Sequence, residues 1–220
     1  MSYRTGGLLL ILAAALFWLS WLLMPGVGVT NPAEIFHLVA GQRSAVLISV
    51  VTQFASAALY VPALLAISIA FSRTSSPGVH WGAGLLLLGA MGCAIDAVFH
   101  LLAYAMTEPG LEASSLLPVM AFMQGPGLRL VAPFIASFFV GSVVLSIALA
   151  KKRAVSKVSI YIYMTLLVVA AGGAGAVFTG IVSARAVGLS VLAVVSIAQA
   201  SLGLELYRPM HMQVLPQHAD

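Results

Sequence analysis

Charge is what this chain lacks most. Only 7% of its 220 residues are Asp, Glu, Lys or Arg, against about 25% in a soluble domain. So few charges cannot cover an aqueous surface, which excludes a water-soluble globular domain and leaves an integral membrane protein. A single cysteine, Cys93, excludes an internal disulfide and any cysteine-rich zinc or iron–sulfur site. The sequence also has no phosphate-binding loop, no HExxH, no nucleophile elbow and no dinucleotide glycine pattern. A net charge of +4 does not signal nucleic acid, because the basic residues are dispersed apart from Lys151, Lys152, Arg153 and Lys157.

What is abundant is apolar sequence, 61% of the residues, with a mean hydropathy of +1.08. It falls into six runs long enough to span a bilayer as helices, at 6–24, 45–71, 81–106, 128–150, 158–182 and 189–206. The expected fold is all-α, a polytopic transmembrane bundle of six spans in one domain, 1–220. The first run ends in Trp18 and Trp21 with no small-residue cleavage site after it, so it reads as a retained span rather than a signal peptide.

The connections carry their own signals. Asn31 can cap a short helix over 33–41, with Pro32 at its first position and Glu34 in its first turn. Ser72–His80 and Ser183–Gly188 read as turns. The longest connection, 107–127, ends in Gly125-Pro126-Gly127 and leaves room for a second short helix over 115–124, lying on the membrane as a lid or a packed surface loop. Gly172, Ala176 and Gly180 form a small-residue ridge suited to helix packing, as do Gly89, Cys93 and Ala97.

Counting basic residues in alternate loops gives seven (Arg4, Arg73, Lys151, Lys152, Arg153, Lys157, Arg208) against three (Arg43, Arg129, Arg185). That asymmetry places both termini in the cytoplasm of a multi-pass cell-membrane protein. Trp18 and Trp21 then belong to the outer aromatic belt, and Trp81, Tyr161, Tyr163 and Tyr207 to the inner one.

One run is not purely apolar. The third span carries Asp96 and His100 one turn apart, with Tyr104 a turn further on. An ionisable residue inside a span is costly and marks a functional site by default. Counted from Trp81 at 1.5 Å per residue, Asp96 lies about 22 Å and His100 about 28 Å along the span, in the outer half. Gln53 shares that half, on a face of the second span with Ser56 and Tyr60. Arg43, Arg129 and His37 fall near the outer rim. The candidate ligand-binding residues are therefore Asp96, His100, Tyr104, Gln53, Arg129, Tyr60, Arg43 and His37. Asp96 and His100 are also the candidate acid–base pair, the carboxylate orienting the imidazole. The competing reading is a structural network holding helices together, with Arg129 as counter-ion.

Haem requires two histidines at matched depth on facing helices. Only His37 could match His100, since His80, His211 and His218 fall at the cytoplasmic face. Met24, Met106, Met120 and Met123 cluster near the outer surface, where thioethers suit Cu(I) but serve more commonly as apolar filler. No metal ligand is assigned, and the cofactor stays open.

The first span ending near Asn31-Pro32, a short helix, Arg43 at the second span's entrance and Gly125-Pro126-Gly127 before the fourth together resemble a bacterial family of six-span integral membrane proteins of unknown function. The resemblance covers the architecture and implies no activity. The leading expectation is a membrane protein that binds an apolar or amphipathic ligand (a lipid or a quinone-like molecule) or a partner subunit at an outer-leaflet site. The alternatives are a membrane-embedded enzyme acting on a lipid-like substrate through Asp96 and His100, and a small transporter. The expected partners are membrane lipids, a hydrophobic small molecule, and a membrane protein or second copy of the chain.

Overall fold

The computed structural model describes residues 2–71 and 77–208. Arg73, His211, His218 and the polar tail lie outside them. Among the described residues every regular element is a helix: α1 (Tyr3–Leu23), α2 (Pro32–Gly41), α3 (Arg43–Phe71), α4 (Pro77–Met106), α5 (Ala113–Phe122), α6 (Leu128–Lys151), α7 (Val158–Phe178) and α8 (Ala184–Tyr207), with a π turn, Met123–Gly127, between α5 and α6. Six helices are long and apolar enough to cross a membrane, α5, the π turn and α6 counting as one helix of 39 residues. The chain is a polytopic helical membrane protein. Helix is the local solution in lipid because it satisfies every backbone polar group within the segment.

The caps follow local chemistry. Asn31 Oδ1 accepts from the Ala33 and Glu34 amides at 3.0 and 3.5 Å, with Pro32 at the first position of α2. Pro77 likewise opens α4, so of the turn expected over 72–80 the part from 77 is helix, and 72–76 lie outside the described residues. The turn expected over 183–188 is also helical. Ser183 caps α8 by accepting from Ala186 N at 3.2 Å, and α7 ends at Phe178 rather than 182.

The larger departure is at Gly125-Pro126-Gly127. These residues do not break the chain direction but form the π turn that joins α5 to α6. A π turn absorbs the inserted residue and the missing proline N–H without ending the helix. The open connection shrinks to the six residues 107–112.

In space the neighbours run α6, α4, α3, α1, α8, α7. Glycines set the closest approaches. A Cβ on Gly89 would lie 2.3 Å from the Phe138 backbone, and one on Gly141 2.3 Å from Leu86 N. Gly7 and Gly203 do the same for α1 and α8, at 2.5 and 2.6 Å. These contacts let backbones meet where lipid offers no hydrophobic drive to associate. The glycines of the expected small-residue ridge make no close approach among the described residues: a Cβ on Gly172 or Gly180 would meet nothing within 4 Å, and the glycine of α7 in tight contact is Gly173, against Val187. Serines stitch α1 to α3, Ser49 Oγ donating to Ser20 O at 2.7 Å and Ser56 Oγ to Ala13 O at 2.8 Å.

Phe138 sits at the centre, its ring 4.9 Å from Phe17 and 5.3 Å from Tyr60. A second apolar cluster, separate from this core, lies beneath α2 and α5 and contains Ile35, Val39, Met106, Met120 and Met123.

Candidate functional site

Asp96 lies ten residues before the end of α4, and Gln53 ten residues after the start of α3. Both are therefore about 15 Å from the same end of the bundle at 1.5 Å per residue. Both are buried, Gln53 at 1% exposure and Asp96 at 6%.

Gln53 is the bridge. Its Nε2 donates to Asp96 Oδ2 at 3.0 Å, and its Oε1 pairs with His100 Nδ1 at 3.1 Å. With Oε1 turned to the imidazole, His100 Nδ1 is the donor of that bond, and an Asp96 oxygen accepts the amide N–H. His100 Nε2 is left 3.8 Å from Asp96 Oδ2, beyond hydrogen-bond distance. The expected direct Asp96–His100 bond is thus replaced by a relay through a side chain of the neighbouring helix. His100 keeps one nitrogen uncommitted, and its side chain is 12% exposed.

The fourth member is Trp21. Its ring stands edge-on to the imidazole with centroids 5.5 Å apart. Its indole Nε1 is buried and has no hydrogen-bond partner among the described residues. The sequence places Trp21 in the aromatic belt by its position near a span end, a signal that does not show which way an indole faces.

The remaining candidates separate from this group. Arg43 reaches across to the end of α4. Its Nη1 donates to Tyr104 O at 2.9 Å and Thr107 Oγ1 at 3.0 Å, and Nη2 pairs with Glu108. The guanidinium lies 4.1 Å over the Tyr104 ring, a cation–π contact. Arg43 and Tyr104 therefore form a clamp between α3 and α4 one turn beyond His100. Arg129 and His37 lie on exposed faces of α6 and α2, so Arg129 is not the counter-ion of Asp96 and His37 does not face His100. Met24, Met106, Met120 and Met123 do come together, inside the apolar cluster beneath α2 and α5. No group of three His, Cys, Asp or Glu side chains that could hold a metal occurs among the described residues.

Tyr60 belongs to a second polar group deeper in the bundle. Its hydroxyl donates to Gln199 Oε1, and Gln199 Nε2 donates to Ser142 Oγ at 2.8 Å. Tyr163, expected in the inner belt, is buried at 3% exposure, whereas Tyr161, Trp81 and Tyr207 are exposed. Gln199 was missed, although an amide in the middle of a span is itself a readable signal.

The site thus holds one carboxylate, one imidazole whose Nε2 makes no hydrogen bond among the described residues, and an indole ring standing against that imidazole. That set can exchange a proton or hydrogen-bond a polar headgroup. Comparison with known proteins finds no matching family model, no matching curated protein and no matching solved structure.

Proposed function

We propose that this membrane protein binds an amphipathic molecule, a lipid or a quinone-like compound, whose polar group hydrogen-bonds to His100. The observation that carries the reading is the division of labour on the imidazole. Nδ1 is held by Gln53, which is itself held by Asp96, so the ring is oriented and Nε2 is left to serve a ligand. The indole N–H of Trp21 beside it supplies a donor for a carbonyl or similar oxygen. Apolar surroundings with a few convergent polar groups are the usual character of a small-molecule site.

The basic-residue asymmetry supports cytoplasmic termini. In that orientation α2, α5 and the site face the outer leaflet, and the ligand enters from there. Arg73 enters this count from the sequence alone.

Native mass spectrometry of the detergent-purified protein tests the reading. A bound small molecule should co-purify with the wild type and be lost in His100→Ala. Retention of the same mass in that variant, or no adduct in either protein, would refute it. A carboxylate poised beside an imidazole is also an acid–base pair. Lipid turnover that His100→Ala abolishes would move the assignment to an enzyme.

A further inference from the structure

At the end of the bundle nearer His100, α2 and α5 pack on each other and against α4. Their apolar faces, with Ile35, Val39, Met120 and Met123, form the cluster that is separate from the main core. Trp21, Phe99 and Tyr104 are packed against this cluster. Of these, Trp21 also stands against His100, with ring centroids 5.5 Å apart.

Each covering helix meets its span at an irregular joint. Between α2 and α3 only Gln42 intervenes, with non-helical dihedrals of φ −133° and ψ 35°. It follows Gly41, where a Cβ would meet nothing within 4 Å. Between α5 and α6 lies the π turn with Gly125, Pro126 and Gly127, and Gly125 also faces open space. π turns inside helices recur at functional sites. The Arg43 clamp ties the start of α3, just past the α2 joint, to the end of α4. The interface that would part is rich in methionine, whose flexible side chains repack at little cost.

We propose that α2 and α5 form a hinged cap that opens as a pair to admit molecules to His100; this rests on the ligand-binding reading above. Opening separates the methionine cluster, exposes Trp21 Nε1 and leaves the Asp96–Gln53–His100 relay standing on the clamped ends of α3 and α4.

The test needs no ligand. Cys93 is the chain's only cysteine and is buried, so a Cys93→Ala, His100→Cys protein carries one thiol at the site. Its modification by a small charged thiosulfonate is followed in detergent by mass spectrometry. The thiol should react, and the rate should fall about tenfold when Gly125→Ala and Pro126→Ala stiffen the hinge. No reaction, or equal rates in both proteins, would overturn the cap.

Hydrogen exchange on the unsubstituted chain is the second measurement, in case a variant does not fold. Amides of 32–41 and 113–122 should exchange together and faster than those of 45–60. Protection equal to that of α3 would overturn the proposal. The two readings fail separately. Thiol access that responds to the hinge in a chain that retains no ligand removes only the binding reading. A ligand held through His100 with hinge-independent access removes only the cap.

Discussion

Replacing Gln53 with Leu should destabilise the protein more than replacing the whole polar group. Leu is close to Gln in size, so the substitution removes hydrogen bonds while keeping volume. Gln53 is buried and makes two such bonds, one to a carboxylate and one to an imidazole. A hydrogen bond to a charged group contributes about 1.5–3 kcal/mol and a neutral one about 1 kcal/mol. Losing both therefore costs about 2.5–4 kcal/mol, with buried Asp96 and part-buried His100 deprived of the amide. Membrane double-mutant cycles average about 0.6 kcal/mol per bond, which sets the floor near 1 kcal/mol. Changing Gln53, Asp96 and His100 all to Leu leaves nothing unpaired and should cost less than Gln53→Leu alone. The assay is reversible unfolding in mixed micelles followed by circular dichroism, arranged as double-mutant cycles. The coupling between Gln53 and Asp96 should exceed that between Asp96 and His100, because the latter pair stands 3.8 Å apart and communicates through the amide. Losses from Gln53→Leu and Asp96→Leu that add within about 0.5 kcal/mol would show that the bridge does not exist.

Other expectations follow from the packing and the clamps. Gly89→Ala should cost about 1–3 kcal/mol, since its Cβ would meet the Phe138 backbone at 2.3 Å; Gly172→Ala, with no neighbour within 4 Å, should stay within about 0.5 kcal/mol by the same unfolding assay. Arg43→Lys should lower Tm nearly as far as Arg43→Met, because a lysine cannot fork to Tyr104 O, Thr107 and Glu108 at once. Arg185→Met should loosen the end of α1, whose Leu22, Met24 and Pro25 carbonyls accept from the guanidinium at 3.1, 2.9 and 2.6 Å; faster hydrogen exchange over 20–24 would register it. Cysteines placed at 151–157 should resist an impermeant reagent applied to intact cells while those at 108–112 react, and the reverse pattern would invert the proposed orientation.

Much of the site was visible in the chain because its cost is local. Asp96 and His100 stand out in an apolar run, and counting residues sets Gln53 at their depth. The sequence could not show that the amide stands between them. That depends on how α3 is rotated against α4, which no spacing along one helix reports. Arg129 illustrates the limit, as its charge made it the natural counter-ion, yet the turn of α6 leaves it exposed. Trp21 illustrates it again, since a belt position and an inward contact with His100 have the same sequence signature.

The sequence by itself determined the fold class, the six apolar spans and the cap of α2. In lipid a backbone must satisfy its own polar groups, so a long apolar run has one outcome wherever it sits. The tertiary structure decided which helices touch, that Gly125-Pro126-Gly127 continues a helix as a π turn, that Gly172 and Gly180 make no close approach among the described residues, and that Tyr60 pairs with Gln199 rather than joining His100. Apolar helices have no hydrophobic reason to prefer one neighbour in a membrane, so the choice falls to glycine contacts and single hydrogen bonds between segments far apart in the chain.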